Sequence, residues 1–127
     1  MKKLISSGAK WETIVGYSRA VRVGNVIEVS GTVASDGNNV VGKDDVYLQT
    51  KFILKKIESA LKEAGASING VVRTRIYVKD ISKWSEVAKA HQEVFCNIKP
   101  ATSMVEVSAL ISPEYLVEIE ATAILDI

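Results

Sequence analysis

The chain has 127 residues, 47% of them apolar and 24% charged, proportions that predict one ordinary globular domain over residues 1–127. Its formal net charge is +1, and the 16 Lys and Arg are spread along the chain. No basic block is present to condense onto nucleic acid or an anionic membrane, so neither is expected as a partner.

Met1-Lys2-Lys3 opens like an export signal, but Leu4-Ile5 give way to Ser6-Ser7-Gly8, far short of an apolar signal core. No segment is long and apolar enough to span a bilayer. Two alternating runs, Tyr17–Val23 and Val26–Thr32, meet at Gly24-Asn25, a pair that accepts positive φ in a tight hairpin turn. Ser35-Asp36-Gly37-Asn38-Asn39 reads as a polar loop, with Val40-Val41 as a short extra strand.

Asp44 and Asp45 can cap a long helix, in which Val46, Ile53, Ile57, Ala60, Leu61 and Ala64 recur at helical spacing until Gly65 stops it. Val71–Val78 then alternates, with Val72, Thr74, Ile76 and Val78 pointing one way and Arg73, Arg75 and Tyr77 the other. A second helix follows Ser82, its expected N-cap. Trp84, Val87, Ala88, His91, Val94 and Phe95 form its apolar stripe, and Lys99-Pro100 ends it. Two strands finish the chain, Thr102–Ser108 and Leu116–Leu125, on either side of a loop holding Pro113.

The expected fold is therefore α+β, in the order β-hairpin, helix, strand, helix, two strands, with two helices on one face of a mixed sheet. Alternation assigns Ile27, Val29, Val72, Ile76, Val105, Val107, Val117, Ile119, Ala121 and Ala123 to the helix-covered face. The opposite face collects Glu28, Ser30, Arg73, Arg75, Tyr77, Met104, Glu106, Glu118 and Glu120. Two readings of that face stand open. It is either a solvated surface with Glu–Arg cross-strand pairs, or a surface that packs on identical sheets and encloses polar pockets.

The segments Gly16-Tyr17, Val29-Ser30-Gly31, Val71 to Asp80, Pro100-Ala101-Thr102-Ser103-Met104-Val105 and Leu116 to Ala121 resemble, in order and spacing, the Rid (reactive intermediate deaminase, or YjgF-like) family. The resemblance covers nearly the whole chain from Tyr17 onward. It implies a chorismate-mutase-like fold, a homotrimer built around a threefold axis, and a small-molecule cleft at each subunit interface.

Deaminase members of that family hydrolyse enamines and imines of the 2-aminoacrylate type. Such a substrate calls for a cation to hold its carboxylate and a proton acceptor to position water. The resemblance makes Tyr17 a cleft residue, Ser30-Gly31 a lining turn, and Glu118 the catalytic carboxylate associated with water. It also puts Thr102 where deaminases carry an arginine, and Met104 where a cysteine often stands. The carboxylate anchor is thus absent from its expected place. Arg75 is a candidate replacement and Arg19 a second, although an arginine facing several glutamates also reads as their counter-ion.

The expected ligand contacts are Tyr17, Ser30, Arg75, Thr102, Ser103 and Met104. Three functions remain in view: a trimeric binder of a small carboxylate- or carbonyl-bearing metabolite, an imine or enamine hydrolase with a relocated cation, and a non-catalytic, chaperone-like scaffold.

His91 is the only histidine and lies on an apolar helix stripe, which reads as packing rather than catalysis. Cys96 has no partner for an internal disulfide, fits a reducing, cytoplasmic setting, and reads as an ordinary small residue. One histidine and one cysteine five residues apart do not make a metal site, so neither metal nor cofactor is expected. Trp84 reads as core, whereas Trp11 reads as a cover for the cleft or a contact with a neighbouring subunit. Relatives labelled ribonucleases find no support in a chain without a basic, aromatic-interleaved patch or a second histidine.

Overall fold

The computed structural model describes residues 1–125. Its elements run β1 (Lys2–Ile5), α1 (Lys10–Val15), β2 (Ala20–Val23), β3 (Val26–Thr32), β4 (Ser35–Asp36), β5 (Asn39–Val40), α2 (Val46–Glu63), β6 (Val71–Val78), α3 (Trp84–Phe95), β7 (Ala101–Glu106) and β8 (Val117–Ile124). The main sheet has the order β1-β2-β3-β8-β6-β7; β6 and β7 are parallel and the other pairs antiparallel. A small β4–β5 hairpin spans the expected loop, its second strand, Asn39–Val40, taking in the first residue of the short strand expected at Val40-Val41.

Local chemistry explains the main elements. Gly24, at φ 60°, makes the turn between β2 and β3. The Asp45 carboxylate accepts a hydrogen bond from the Leu48 amide at 3.0 Å and caps α2. Ile53, Leu54, Ile57 and Leu61 then form one buried stripe before Gly65, at φ 87°, ends the run. α3 is entered differently from expectation. Ser82 lies inside a 3₁₀ turn, Ile81–Lys83, that Asp80 caps, and Lys83 stands at the helix boundary without a side-chain cap.

α2 and α3 cover one face of the sheet. Beneath them lie Ile27 and Val29 of β3, Ile76 and Val78 of β6, and Val117, Ile119, Ala121 and Ala123 of β8, closed over by Val87 and Phe95 of α3. This is the expected mixed sheet with two helices packed on it.

Several assignments differ, each for a reason of register. Between Val71 and Arg73 the β6–β8 pairing gains a residue: Val71 faces Ala123 while Arg73 faces Thr122. This bulge puts Val71 in the core and turns Val72 out to 43% exposure. In β7, pairing in parallel with β6 sets Met104 beside Ile76 on the helix side, where it packs against the core. Val105 sits beside Tyr77 on the outer face. Met104 and Glu106 therefore do not belong to the outer face, and Val105 is not core; Val107 lies past the strand end, half-buried. Trp84, expected inside, is 57% exposed at the first position of α3. Tyr17 precedes β2 instead of starting it, because α1 and its left-handed cap Gly16 take up the chain up to that point.

Candidate functional site

The second irregularity, between Val29 and Thr32 in the β3–β8 pairing, shapes the site. It frees Gly31 from the regular ladder directly beside Glu118. A Cβ at position 31 would fall 2.0 Å from Glu118 Oε2, so only glycine lets that carboxylate lie across the strand. At this end of the sheet a cavity of about 430 Å³ is walled by α1, Tyr17, Arg19, Gly31, the β4–β5 hairpin, Lys56, the loop around Ile111 and Tyr115, and Glu118.

Arg19 is its central cation. One Nη donates to the Gly31 carbonyl, the guanidinium carbon lies 5.8 Å from the centre of the Tyr17 ring, and the buried Nε has no partner among the described residues. Lys56 reaches the same cavity from α2. Its ammonium donates to the Val33 carbonyl at 3.1 Å, the Ser35 carbonyl at 2.9 Å and the Ser35 hydroxyl at 3.2 Å. Burial lowers the Lys56 pKa and Arg19 lowers it further, with Asp36 opposing. All three of its donors are used on Val33 and on Ser35 of β4, so Lys56 braces that wall of the cavity.

Glu118 is half-buried and accepts no hydrogen bond from the described residues. Burial pushes its carboxyl above the usual range; Arg19 pulls it back and Glu120 adds to the rise. A raised folded-state pKa means that the native state binds more protons than the unfolded chain between 4.5 and the raised value, so stability falls as pH climbs through that window. Glu118→Gln is therefore expected to match the parent in thermal unfolding near pH 4 and to exceed it by a few degrees at pH 7. An unchanged or lowered Tm at pH 7 would show that the ionised carboxylate carries no burial cost.

The remaining predicted residues lie elsewhere. Ser30 borders the site, but its hydroxyl is committed to the Ser18 carbonyl at 2.6 Å. Arg75 and Ser103 are on the outer face. Arg75 Nε lies 4.0 Å from Glu120, which also accepts from the Tyr77 hydroxyl at 2.7 Å, and Ser103 accepts from Arg73 at 2.8 Å. Thr102 and Met104 are on the helix side of β7, at a second cavity of about 510 Å³ that also holds His91, Phe95, Cys96 and Lys99. There the fully buried Thr74 hydroxyl lies 2.8 Å from the Thr102 hydroxyl and 2.9 Å from His91 Nε2. Burial lowers the His91 pKa, and its ring packs 4.5 Å from Phe95, a structural setting for a neutral imidazole.

A family model described as "Endoribonuclease L-PSP" matches residues 7–125. The chain belongs to this family, also called YjgF, RutC or Rid. Among solved structures it is similar to Rv2704 of Mycobacterium tuberculosis, a YjgF/YER057c/UK114 family member. That pair shares 51% identity and a TM-score of 0.91 over 98% of this chain and 100% of the other. The YjgF gene product of E. coli superposes with a TM-score of 0.85 at 28% identity, over 98% of this chain and 99% of that one. By sequence, a RutC family protein of Pyrococcus abyssi is 37% identical over 96% of each chain. The 3-aminoacrylate deaminase RutC of Acinetobacter baylyi is 32% identical over 84% of this chain and 85% of its own.

Within the Rid pattern, the single chain brings Tyr17, Gly31 and Glu118 together and leaves Thr102 and Met104 at a different cavity, behind the sheet. Arg75, the first candidate to replace the missing arginine, reaches neither cavity. Arg19, the second candidate, lies inside the first. The signal for it in this Rid sequence is its spacing: two residues after Tyr17, it returns to the same side of an extended chain. Lys56 and the inward turn of Glu12 leave no comparable trace.

Proposed function

We propose that this protein is a homotrimer binding a small carboxylate- or carbonyl-bearing metabolite, in a site completed where two copies meet. The observation that carries this reading is the meeting, in one cavity, of the Arg19 guanidinium and a half-buried Glu118 that receives no hydrogen bond from the described residues. A planar anionic ligand would pair with the Arg19 guanidinium and, through its water, meet the Glu118 carboxylate. Arg19 takes the anchoring role with Tyr17 at its side. Glu118, whose carboxyl burial pushes above the ordinary carboxylate range, is suited to exchange a proton with water or ligand.

Assembly is supported by the outer face of the sheet, which no helix among the described residues covers. Val23, Val26 and Ile124 are exposed in a row across three strands and Leu4 on the edge strand, while Val105 lies beside Tyr77 of the Arg75–Glu120–Tyr77 cluster. An open apolar surface of this kind marks association, and a closed ring of like contacts is the economical way to bury it. On this reading Arg75 is the counter-ion of Glu120 within the trimer. The Thr102, Ser103 and Met104 edge of one copy then approaches the Arg19–Glu118 cavity of the next.

The raised Glu118 pKa also favours a second reading, hydrolysis of an enamine or imine, in keeping with the deaminase named among the relatives. Both are tested together. Light scattering is expected to give about three times the 13.8 kDa chain mass. In a coupled assay, a pyridoxal-phosphate lyase generates 2-aminoacrylate and keto-acid release is followed. Acceleration lost in Glu118→Gln establishes the hydrolase; ligand binding without acceleration establishes the binder. A monomer without affinity for 2-oxo acids overturns both.

A further inference from the structure

The short helix α1 is inside out. Its apolar residues Trp11, Ile14 and Val15 fall on one stripe at helical spacing, as in a helix that packs on a core. Yet they are 41%, 67% and 69% exposed, and the buried residue is Glu12 at 8%. Glu12 is what turns the helix this way. Its carboxylate accepts from the Ser6 hydroxyl at 2.8 Å, the Ser7 amide at 3.1 Å and the Ser7 hydroxyl, and its carbonyl accepts from the Gly16 and Tyr17 amides at 2.9 and 3.0 Å. One residue thus ties the chain before α1 to the chain after it. The outward stripe is held in place, not frayed.

Trp11 and Val15 from this stripe line the Arg19–Glu118 cavity, and the 65% exposed Ile111 lines it from another segment. The cavity therefore has a charged part, at Arg19 and Glu118, and an apolar part. In the single chain its volume is about 430 Å³, more than a three-carbon acid fills.

Resting on the anion-binding role of this cavity, we infer that its ligand is an acid with a bulky apolar side chain, the head at Arg19 and the side chain against Trp11, Val15 and Ile111. Trp11 and Ile111 then determine specificity: an apolar group buried there adds affinity that a methyl cannot supply, while Arg19 serves every acid alike.

The test is calorimetric titration of the native protein with three 2-oxo acids bearing methyl, isobutyl and benzyl side chains. Affinity is expected to rise about tenfold or more from methyl to benzyl. Trp11→Ala and Ile111→Ala are each expected to shrink that benzyl-to-methyl ratio several-fold, with the assembly mass unchanged. Equal affinity for the three acids, with binding still dependent on Arg19, overturns the inference and leaves the anion site standing. So does an unchanged ratio in both variants. Loss of the assembly in Trp11→Ala overturns it by making Trp11 a contact between copies. If no acid binds at all, the anion site fails, and the inference falls with it.

Discussion

Arg19→Met is expected to weaken binding of a 2-oxo acid by about a hundredfold, whereas Arg75→Met changes it less than about threefold. The two arginines differ in setting more than in chemistry. Arg75 stands on an open face, 45% exposed and 4.0 Å from Glu120, where water screens it and its carboxylate neighbour already meets its charge. Arg19 is braced by the Gly31 carbonyl and the Tyr17 ring and lines the cavity, part-buried, with no carboxylate paired to it among the described residues. A charge-assisted pair made there is desolvated, worth about 1.5–3 kcal/mol per hydrogen bond.

Removing Arg19 also removes the cation that pulls the Glu118 pKa down, so the Glu118 carboxyl should titrate higher in the variant. Calorimetry supplies the affinity and carboxyl NMR the titration. Equal losses in the two variants, or a loss only in Arg75→Met, would move the anchor to the outer face.

Ile119→Ala is expected to cost about 3–4 kcal/mol of unfolding free energy, measured by denaturant titration at fixed protomer concentration. Ile119 is fully buried on β8, the strand between β3 and β6. It stands across from Ile76 on one side and Thr32 on the other, under the helix layer. Truncation there leaves a cavity that rigid sheet neighbours on both sides cannot close, which places the cost in the upper part of the usual range. The same strand carries Glu118 one residue earlier, so the variant should also weaken ligand binding in proportion to any shift of that carboxylate. A loss below about 1 kcal/mol would mean that the core does not centre on this strand.

Much of this architecture is written locally. Gly24-Asn25 specifies a hairpin because the turn needs positive φ. Asp45 and Gly65 bracket α2 because one caps amide donors and the other accepts the left-handed exit. The order of strands and helices follows from the periods of their apolar residues. The Rid-like segments made the fold family legible as well. The N-terminal pieces were not: β1 has four residues and α1 six, too short for a period to show, and the one buried residue of α1 is Glu12.

The site divides along the same line. The resemblance to the Rid family points to Tyr17, Ser30-Gly31 and Glu118, and the fold brings Tyr17, Gly31 and Glu118 to one cavity. Which cation joins them was decided by the bulge at Gly31 and by the loops that raise a cavity over it. The same kind of shift turned Val72 outward, and parallel pairing with β6 carried Thr102 and Met104 to the far side of the sheet. Alternation is a property of the extended backbone and can be read from neighbours in the chain. Register, bulges and cavities depend on which strand lies alongside, a sum of distant contacts that no single segment encodes.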